Sequence, residues 1–187
     1  MAHMVHKWDN IDFEIILRLV GGEAHLRQIS KEIKVPHSTL SRRLASLRKE
    51  QVIDFRLEGK NNKYFIKKSL IAKKAAIMAE GYKFIKTLTR YHFLSPIFQD
   101  IAEKSKDELI ILFGSYAKGI PREDSDIDIY IETKDEKIKE EVKKINDLIN
   151  VKTGRFDTED LLIKEIIKNH VIIRGAEEYY EKIKFFR

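Results

Sequence analysis

The strongest constraint in this chain is a spacing. A continuous apolar run, Leu109-Ile110-Ile111-Leu112-Phe113, ends at Gly114-Ser115, and after ten further residues Asp126-Ile127-Asp128-Ile129-Tyr130-Ile131 alternates strictly. The run reads as a buried strand. The alternation reads as a second strand, with Ile127, Ile129 and Ile131 on one face and Asp126, Asp128 and Tyr130 on the other. Carboxylates at i and i+2 stand about 7 Å apart along one strand face. Like charges so placed inside a fold are costly unless a cation neutralises them. Asp beside water and phosphate oxygens suits Mg²⁺ or Mn²⁺. A Gly-Ser turn presents backbone N–H groups and a hydroxyl to phosphate oxygens with no Cβ in the way. Singly, an Asp-x-Asp is often a solvated strand edge and a Gly-Ser a plain turn. Together they suggest phosphoryl or nucleotidyl transfer.

Phe113-Gly114-Ser115-Tyr116-Ala117-Lys118-Gly119, followed by Asp124-Ser125-Asp126-Ile127-Asp128, resembles the signature of the polymerase-β-like nucleotidyltransferases. More closely it is similar to the minimal nucleotidyltransferase domains of archaea and bacteria, over about residues 95–187, including the closing segment Asn169–Tyr180. The resemblance implies a mixed sheet flanked by helices. It assigns Gly114 and Ser115 to the triphosphate, and Asp126 and Asp128 to catalysis and to two Mg²⁺ ions. An acceptor hydroxyl would attack the α-phosphate of a nucleoside triphosphate, ATP in the first instance, and release pyrophosphate. Lys118 and Arg122 stand in the loop where they would meet phosphate charge.

One position departs from the family pattern. A third acidic residue is expected on the strand after the intervening helix, here about Glu136–Leu148, yet that strand reads Ile149-Asn150-Val151-Lys152-Thr153. Asn150 offers a neutral oxygen but is a poor base. Asp157 substitutes only if the strand runs longer; otherwise it caps a helix starting at Thr158-Glu159-Asp160. A domain that binds a metal–nucleotide but transfers it slowly, or not at all, fits these residues equally well.

The front half carries a different signal. Residues 1–92 hold 19 Lys+Arg against 9 Asp+Glu, whereas residues 93–187 hold 17 against 21, within a chain of net charge +6. A basic module followed by a mildly acidic one suggests that the first faces a polyanion. Helical spacing runs from Ile11 to Val20 and stops at Gly21-Gly22, and a short helix fits Leu26–Ile33. After Val35-Pro36 a third helix spans His37 to Glu50 on a Leu40, Leu44 and Leu47 stripe. Its opposite face holds Ser38, Arg42, Ala45 and Lys49, small, polar and cationic enough to lie in a major groove. Two β-rich runs, Val52–Leu57 and Lys63–Lys68, flank a Gly/Asn turn, and the tip and exit strand of this hairpin carry Lys60, Lys63, Lys67 and Lys68. Three helices and a basic hairpin resemble the winged helix-turn-helix of transcription regulators, over roughly residues 9–68. That resemblance makes double-stranded DNA the partner, with Ser38, Arg42, Arg43, Lys49, Lys60 and Lys63 as contacts. A homodimer follows from the class, which reads two half-sites. A winged helix used only for protein contacts is the plainer alternative.

Residues 69–92 form a long amphipathic helix carrying Leu70, Ile71, Ala75, Ile77, Met78, Phe84, Ile85 and Leu88, expected to pack on the winged helix or on its copy in a dimer. A further helix starts at Ser95-Pro96, and the junction between modules falls near Tyr91–Pro96. The absence of Cys excludes disulfide scaffolds and thiolate metal sites. No apolar run approaches the roughly 18 residues of a membrane span, which points to the cytoplasm. Met1-Ala2-His3-Met4 reads as a cloning scar. The six His show no metal-ligand spacing, and His170 in the closing segment has no assigned role. The expected fold class is α+β: a winged helix-turn-helix domain (5–68), a connecting helix (69–94) and a small nucleotidyltransferase-like domain with a mixed sheet (95–187). The leading function is a DNA-binding transcriptional regulator whose second domain binds Mg–NTP as a sensor. The alternative is an active transferase that adds NMP to a protein hydroxyl, antitoxin-like, on a partner toxin.

Overall fold

Asp9 and the Gly21-Gly22 pair bracket the first helix, α1 (Asn10–Val20). The Asp9 side chain accepts from the N–H of Ile11 and Asp12, while Asp12 accepts from the Asp9 N–H, so the two residues form a reciprocal cap. Ile15, Ile16 and Leu19 face inward. The computed structural model describes residues 8–105 and 109–187. The Met1–Met4 segment, with His3, and also His6, lie outside the described residues.

The chain divides into two units, Met1–Tyr82 with Phe186–Arg187, and Lys83–Phe185. In the first, α1 is followed by β1 (Ala24–His25), α2 (Leu26–Ile33), α3 (His37–Lys49), β2 (Ile53–Glu58) and β3 (Asn61–Ile66). Leu40, Leu44 and Leu47 are buried as the spacing predicts. The hairpin pairs Ile53 with Ile66 through to Glu58 with Asn61, so its turn is the tight Gly59-Lys60, with Gly59 at φ 62°. β1 adds a third antiparallel strand through Ala24↔Tyr64 and His25↔Lys63. Sequence reasoning missed β1 because two residues carry no periodicity. This arrangement is a winged helix-turn-helix.

α4 (Leu70–Arg90) is continuous, and its apolar residues divide between a buried face and an exposed one. Ala72, Ala75, Ala76 and Ala79 are buried, whereas Leu70, Ile71, Met78 and Ile85 are 72%, 47%, 54% and 65% exposed. Short alanines let a helix backbone approach its neighbours closely, and that leaves the larger apolar residues outside. Phe13 stacks on Tyr82 at 5.3 Å, and the Tyr82 hydroxyl donates to Glu14 at 2.9 Å, tying α4 to α1. Phe84 and Leu88, on the last turns of α4, pack into the second core. The division therefore falls inside the helix, before the expected junction at 91–96.

The second unit continues with α5 (Leu94–Lys104), β4 (Ile110–Leu112), α6 (Gly114–Lys118), β5 (Ile127–Ile131), α7 (Glu136–Lys143), β6 (Ile149–Thr153), α8 (Leu161–Lys168), β7 (Val171–Arg174) and α9 (Ala176–Lys182). Its sheet has the order β6-β5-β4-β7, with β5 and β6 parallel and the other pairs antiparallel. It is the expected mixed sheet, and the whole chain is α+β. Ile127, Ile129 and Ile131 are fully buried against Ile97, Phe98 and Ile101 of α5 and Val142 of α7. Each such side chain contributes roughly 1.5–3 kcal/mol by leaving water. α7 stops at Lys143 rather than reaching Leu148. Asn146 then turns the chain, accepting from the Leu148 N–H at 2.9 Å.

Candidate functional site

β4 leads through extended Phe113 into Gly114, where the chain turns sharply into the short α6. The Phe113 N–H donates to the Asp128 carbonyl at 2.9 Å, which fixes the turn beside β5. Gly114 has φ 69°, and a Cβ there would collide with the Asp128 carboxylate, standing 2.8 Å from its Cγ. Glycine is thus required twice, by the backbone angle and by the approach of the acid. The fold brings the Gly-Ser turn and Asp128 into one place. Ser115 follows, half-buried, and Asp126 stands exposed just before β5.

Asp128 is half-buried, and burial raises its pKa above the usual carboxylate range, with the Asp126 charge adding to the effect. A hydrogen bond from Asn150 opposes the rise. The parallel register sets Asp128 directly opposite Asn150, whose Nδ2 donates to Asp128 Oδ1 at 2.8 Å. Asp157 is engaged elsewhere: its Oδ1 accepts from the Glu159 N–H at 3.0 Å, in the turn before α8. The cap of α8 is Asp160, not Asp157, and the helix begins at Leu161. Of the two candidates for the third position, Asn150 meets Asp128. Among the described residues, no group of three or more His, Cys, Asp or Glu is placed to hold a metal ion.

Lys118 pairs with Glu165 of α8 at 2.9 Å, and that bond holds the Glu165 carboxyl below its ordinary range. Arg122 is exposed, and its backbone N–H donates to Ser125 Oγ at 2.8 Å. Tyr130, on the same strand face as the aspartates, is buried rather than open. Its ring meets Phe156 at 5.9 Å and its hydroxyl donates to the Gly154 carbonyl at 2.9 Å. Tyr179 extends this layer, and His170 packs on Tyr179 at 4.6 Å while its Nδ1 lies 3.0 Å from the Ile166 carbonyl. His170 therefore has a place in the packing, at the end of α8.

In the first unit, Ser38, Arg42, Ala45 and Lys49 all lie exposed on α3, as the helical spacing predicts. Arg43 does not join them. Its guanidinium reaches Asp9 and the fully buried Asp12, each at 2.5 Å, so it binds α3 to α1 and its charge is engaged within the unit rather than turned to the exposed face. Lys60 is exposed at the tip of the wing. Lys63 pairs with Glu58 at 2.8 Å, and His25 meets the same carboxylate at 2.8 Å, which lowers the charge that Lys63 offers outward. A cleft of about 530 Å³ opens between the wing and the starts of α2 and α3, lined by Arg27, Gln28, His37, Lys60, Asn61 and Tyr64 among others. Sequence reasoning missed Arg27 and His37, because the pairing of β1 with β3 is what brings these segments together.

Comparison with known proteins bears on the second unit. Residues 94–183 match the family model of the nucleotidyltransferase domain. That stretch contains Gly114, Ser115, Asp126, Asp128 and Asn150, and a domain of this kind implies the use of a nucleoside triphosphate and a divalent metal in general. Among solved structures, the chain is similar to the transcriptional repressor BigR from Xylella fastidiosa, with 23% identity, 41% of this chain and 72% of that one covered, and a TM-score of 0.35. It is also similar to reduced HlyU from Vibrio cholerae N16961, with 24% identity, 38% and 72% covered, and a TM-score of 0.34. No curated protein matches the chain. Among the described residues, no helix is long and apolar enough to cross a membrane.

Proposed function

We propose that this protein is a cytoplasmic, DNA-binding transcriptional regulator whose nucleotidyltransferase domain binds a nucleoside triphosphate, ATP, with a divalent cation, Mg²⁺ or Mn²⁺, and that occupancy of this site alters DNA affinity. The observation that carries the nucleotide half is the contact of Gly114 with Asp128, which places a turn without a Cβ beside a half-buried carboxylate. The donor set fits one hard cation: Asp126 and Asp128 supply oxygens, and Mg²⁺ keeps several waters and takes others from phosphate. The backbone at Gly114 and Ser115 would hold phosphate oxygens. Lys118, on leaving Glu165, and Arg122 would meet phosphate charge. The bound cation supplies charge neutralisation to the triphosphate.

In the DNA half, Ser38, Arg42 and Lys49 of α3 enter the major groove, and Lys60 with Lys63 on the wing contacts phosphates. Arg27 and His37 extend this basic surface. A second copy covers the apolar stripe of α4 and provides the paired half-sites. The match to a nucleotidyltransferase domain supports a second reading, transfer of NMP, for which we propose a protein hydroxyl of a partner such as a toxin as the acceptor. In that reaction the acceptor oxygen bonds to the α-phosphorus, the bond to the β-phosphate bridging oxygen breaks, and pyrophosphate leaves. A base must take the hydroxyl proton, and Asn150 cannot.

Calorimetric titration of Mg–ATP into the full chain, beside Asp126→Ala/Asp128→Ala, tests the site. Metal-dependent binding that disappears in the double variant is expected; equal heats from both would remove Asp126 and Asp128 from the reading. Operator selection followed by retention with and without Mg–ATP tests the coupling. Unchanged retention would leave two unconnected activities. Label from α-phosphate-labelled ATP on a partner protein would favour transfer instead.

A further inference from the structure

The position of Asn150 limits how many cations the site holds. The parallel register of β5 and β6 sets Asn150 across from Asp128 on the same sheet face, and its Nδ2 donates to Asp128 Oδ1 at 2.8 Å. An amide in that place has two consequences. It supplies no negative charge, so Asp126 and Asp128 remain the carboxylates of β5 and its approach, while Glu165, whose charge reaches Asp128, is paired with Lys118. It also places an N–H donor, which cannot ligate a cation, on one of the two Asp128 oxygens. Two dications held about 3.5–4 Å apart, as in two-metal sites, repel four times as strongly as two unit charges at that distance. Bridging carboxylates normally offset that repulsion. Here no group of three or more acidic or imidazole side chains is placed to do so among the described residues.

We infer that the site binds one divalent cation with its nucleotide, not the two that the family resemblance implies, and that Asn150 sets this number. The inference rests on the nucleotide-binding reading above. It makes the domain a holder of metal–nucleotide rather than an efficient transferase, since the second ion is the one that would activate an acceptor oxygen.

Equilibrium dialysis of the full chain against ATP and Mn²⁺, with both counted in the protein compartment, tests it without reference to turnover. The native chain is expected to retain one Mn²⁺ per ATP, and Asn150→Asp two. Asn150→Ala, which removes the amide without adding a charge, is expected to retain one. Two Mn²⁺ per ATP in the native chain would overturn the inference while leaving the nucleotide-binding reading intact. A ratio of one in Asn150→Asp, with its thermal unfolding still cooperative, would overturn the role given to Asn150. So would loss of all Mn²⁺ from Asn150→Ala, since Asn150 would then be a ligand. A native chain that retains no ATP would sink the nucleotide-binding reading and this inference with it.

Discussion

Arg43 shows how one side chain changes role between a helical wheel and a packed domain. By spacing it lies next to Arg42, beside the face expected to meet DNA. In the fold it neutralises Asp12, a carboxylate with no exposed surface that also caps α1. Removing one partner of a buried pair strands the other, so Arg43→Ala is expected to cost about 3 kcal/mol of stability, measured by urea unfolding. An unchanged midpoint together with lost DNA retention would return Arg43 to the DNA face. Asp9 adds a pH dependence. Burial alone would raise its pKa, but the hydrogen bonds from Arg43 and from the Ile11 and Asp12 N–H groups outweigh this and hold it below the usual carboxylate range. Its stabilising contribution is therefore full above the unfolded-state value and is lost as pH falls through the lower folded value. Arg43→Ala should move acid unfolding to higher pH. Gly114→Ala is the corresponding test in the other unit. Left-handed backbone costs a non-glycine residue about 1–2 kcal/mol, and the collision with Asp128 adds to that. Lower thermal stability and no Mg–ATP heat are expected; full binding would show that the turn relaxes away from Asp128.

At the scale of elements, the DNA contacts proposed for α3 and the wing are unequal in the charge they offer. Arg42 and Lys60 are exposed, and among the described residues no carboxylate is bonded to them in the way Glu58 holds Lys63. Arg42→Ala and Lys60→Ala should each reduce the slope of log affinity against log salt by about 1, and Lys63→Ala by less. Equal slopes in all three variants would remove the wing from the contact. α4 carries the other element-scale prediction. Ile71, Met78 and Ile85 recur at intervals of seven on one helix face and lie open to solvent, a repeat that suits a second helix. Ile71→Glu/Met78→Glu should convert a dimer to a monomer in sedimentation at micromolar concentration, with helix content unchanged. A native chain that is already monomeric would refute the pairing through α4.

Over the whole molecule, the proposed function puts two ligands of like charge, DNA and a nucleotide, on different units. If nucleotide occupancy changes DNA affinity by some factor, DNA must change nucleotide affinity by the same factor. Titrating Mg–ATP with and without operator DNA is expected to show that reciprocal shift; identical isotherms would exclude equilibrium coupling. Much of this organisation was legible in the chain itself. The helices at 10–20, 26–33 and 37–49, the hairpin, the strand before Gly114 and the alternating strand through Asp128 all follow from periodicity and from Gly, Pro and Asp punctuation, which act over a few residues. The pairing of Gly114 with Asp128 was foreshadowed by their spacing. Other features depended on residues distant in sequence. The register of β6 against β5 decided that Asn150 faces Asp128, and the burial of Asp12 decided that Arg43 turns inward. Closely packed alanines decided that the larger apolar residues of α4 stay outside. Propensity and pattern are short-range properties that the sequence determines by itself. Register, partner choice and burial are settled by which distant surfaces exclude water from one another, and only the tertiary structure contains that.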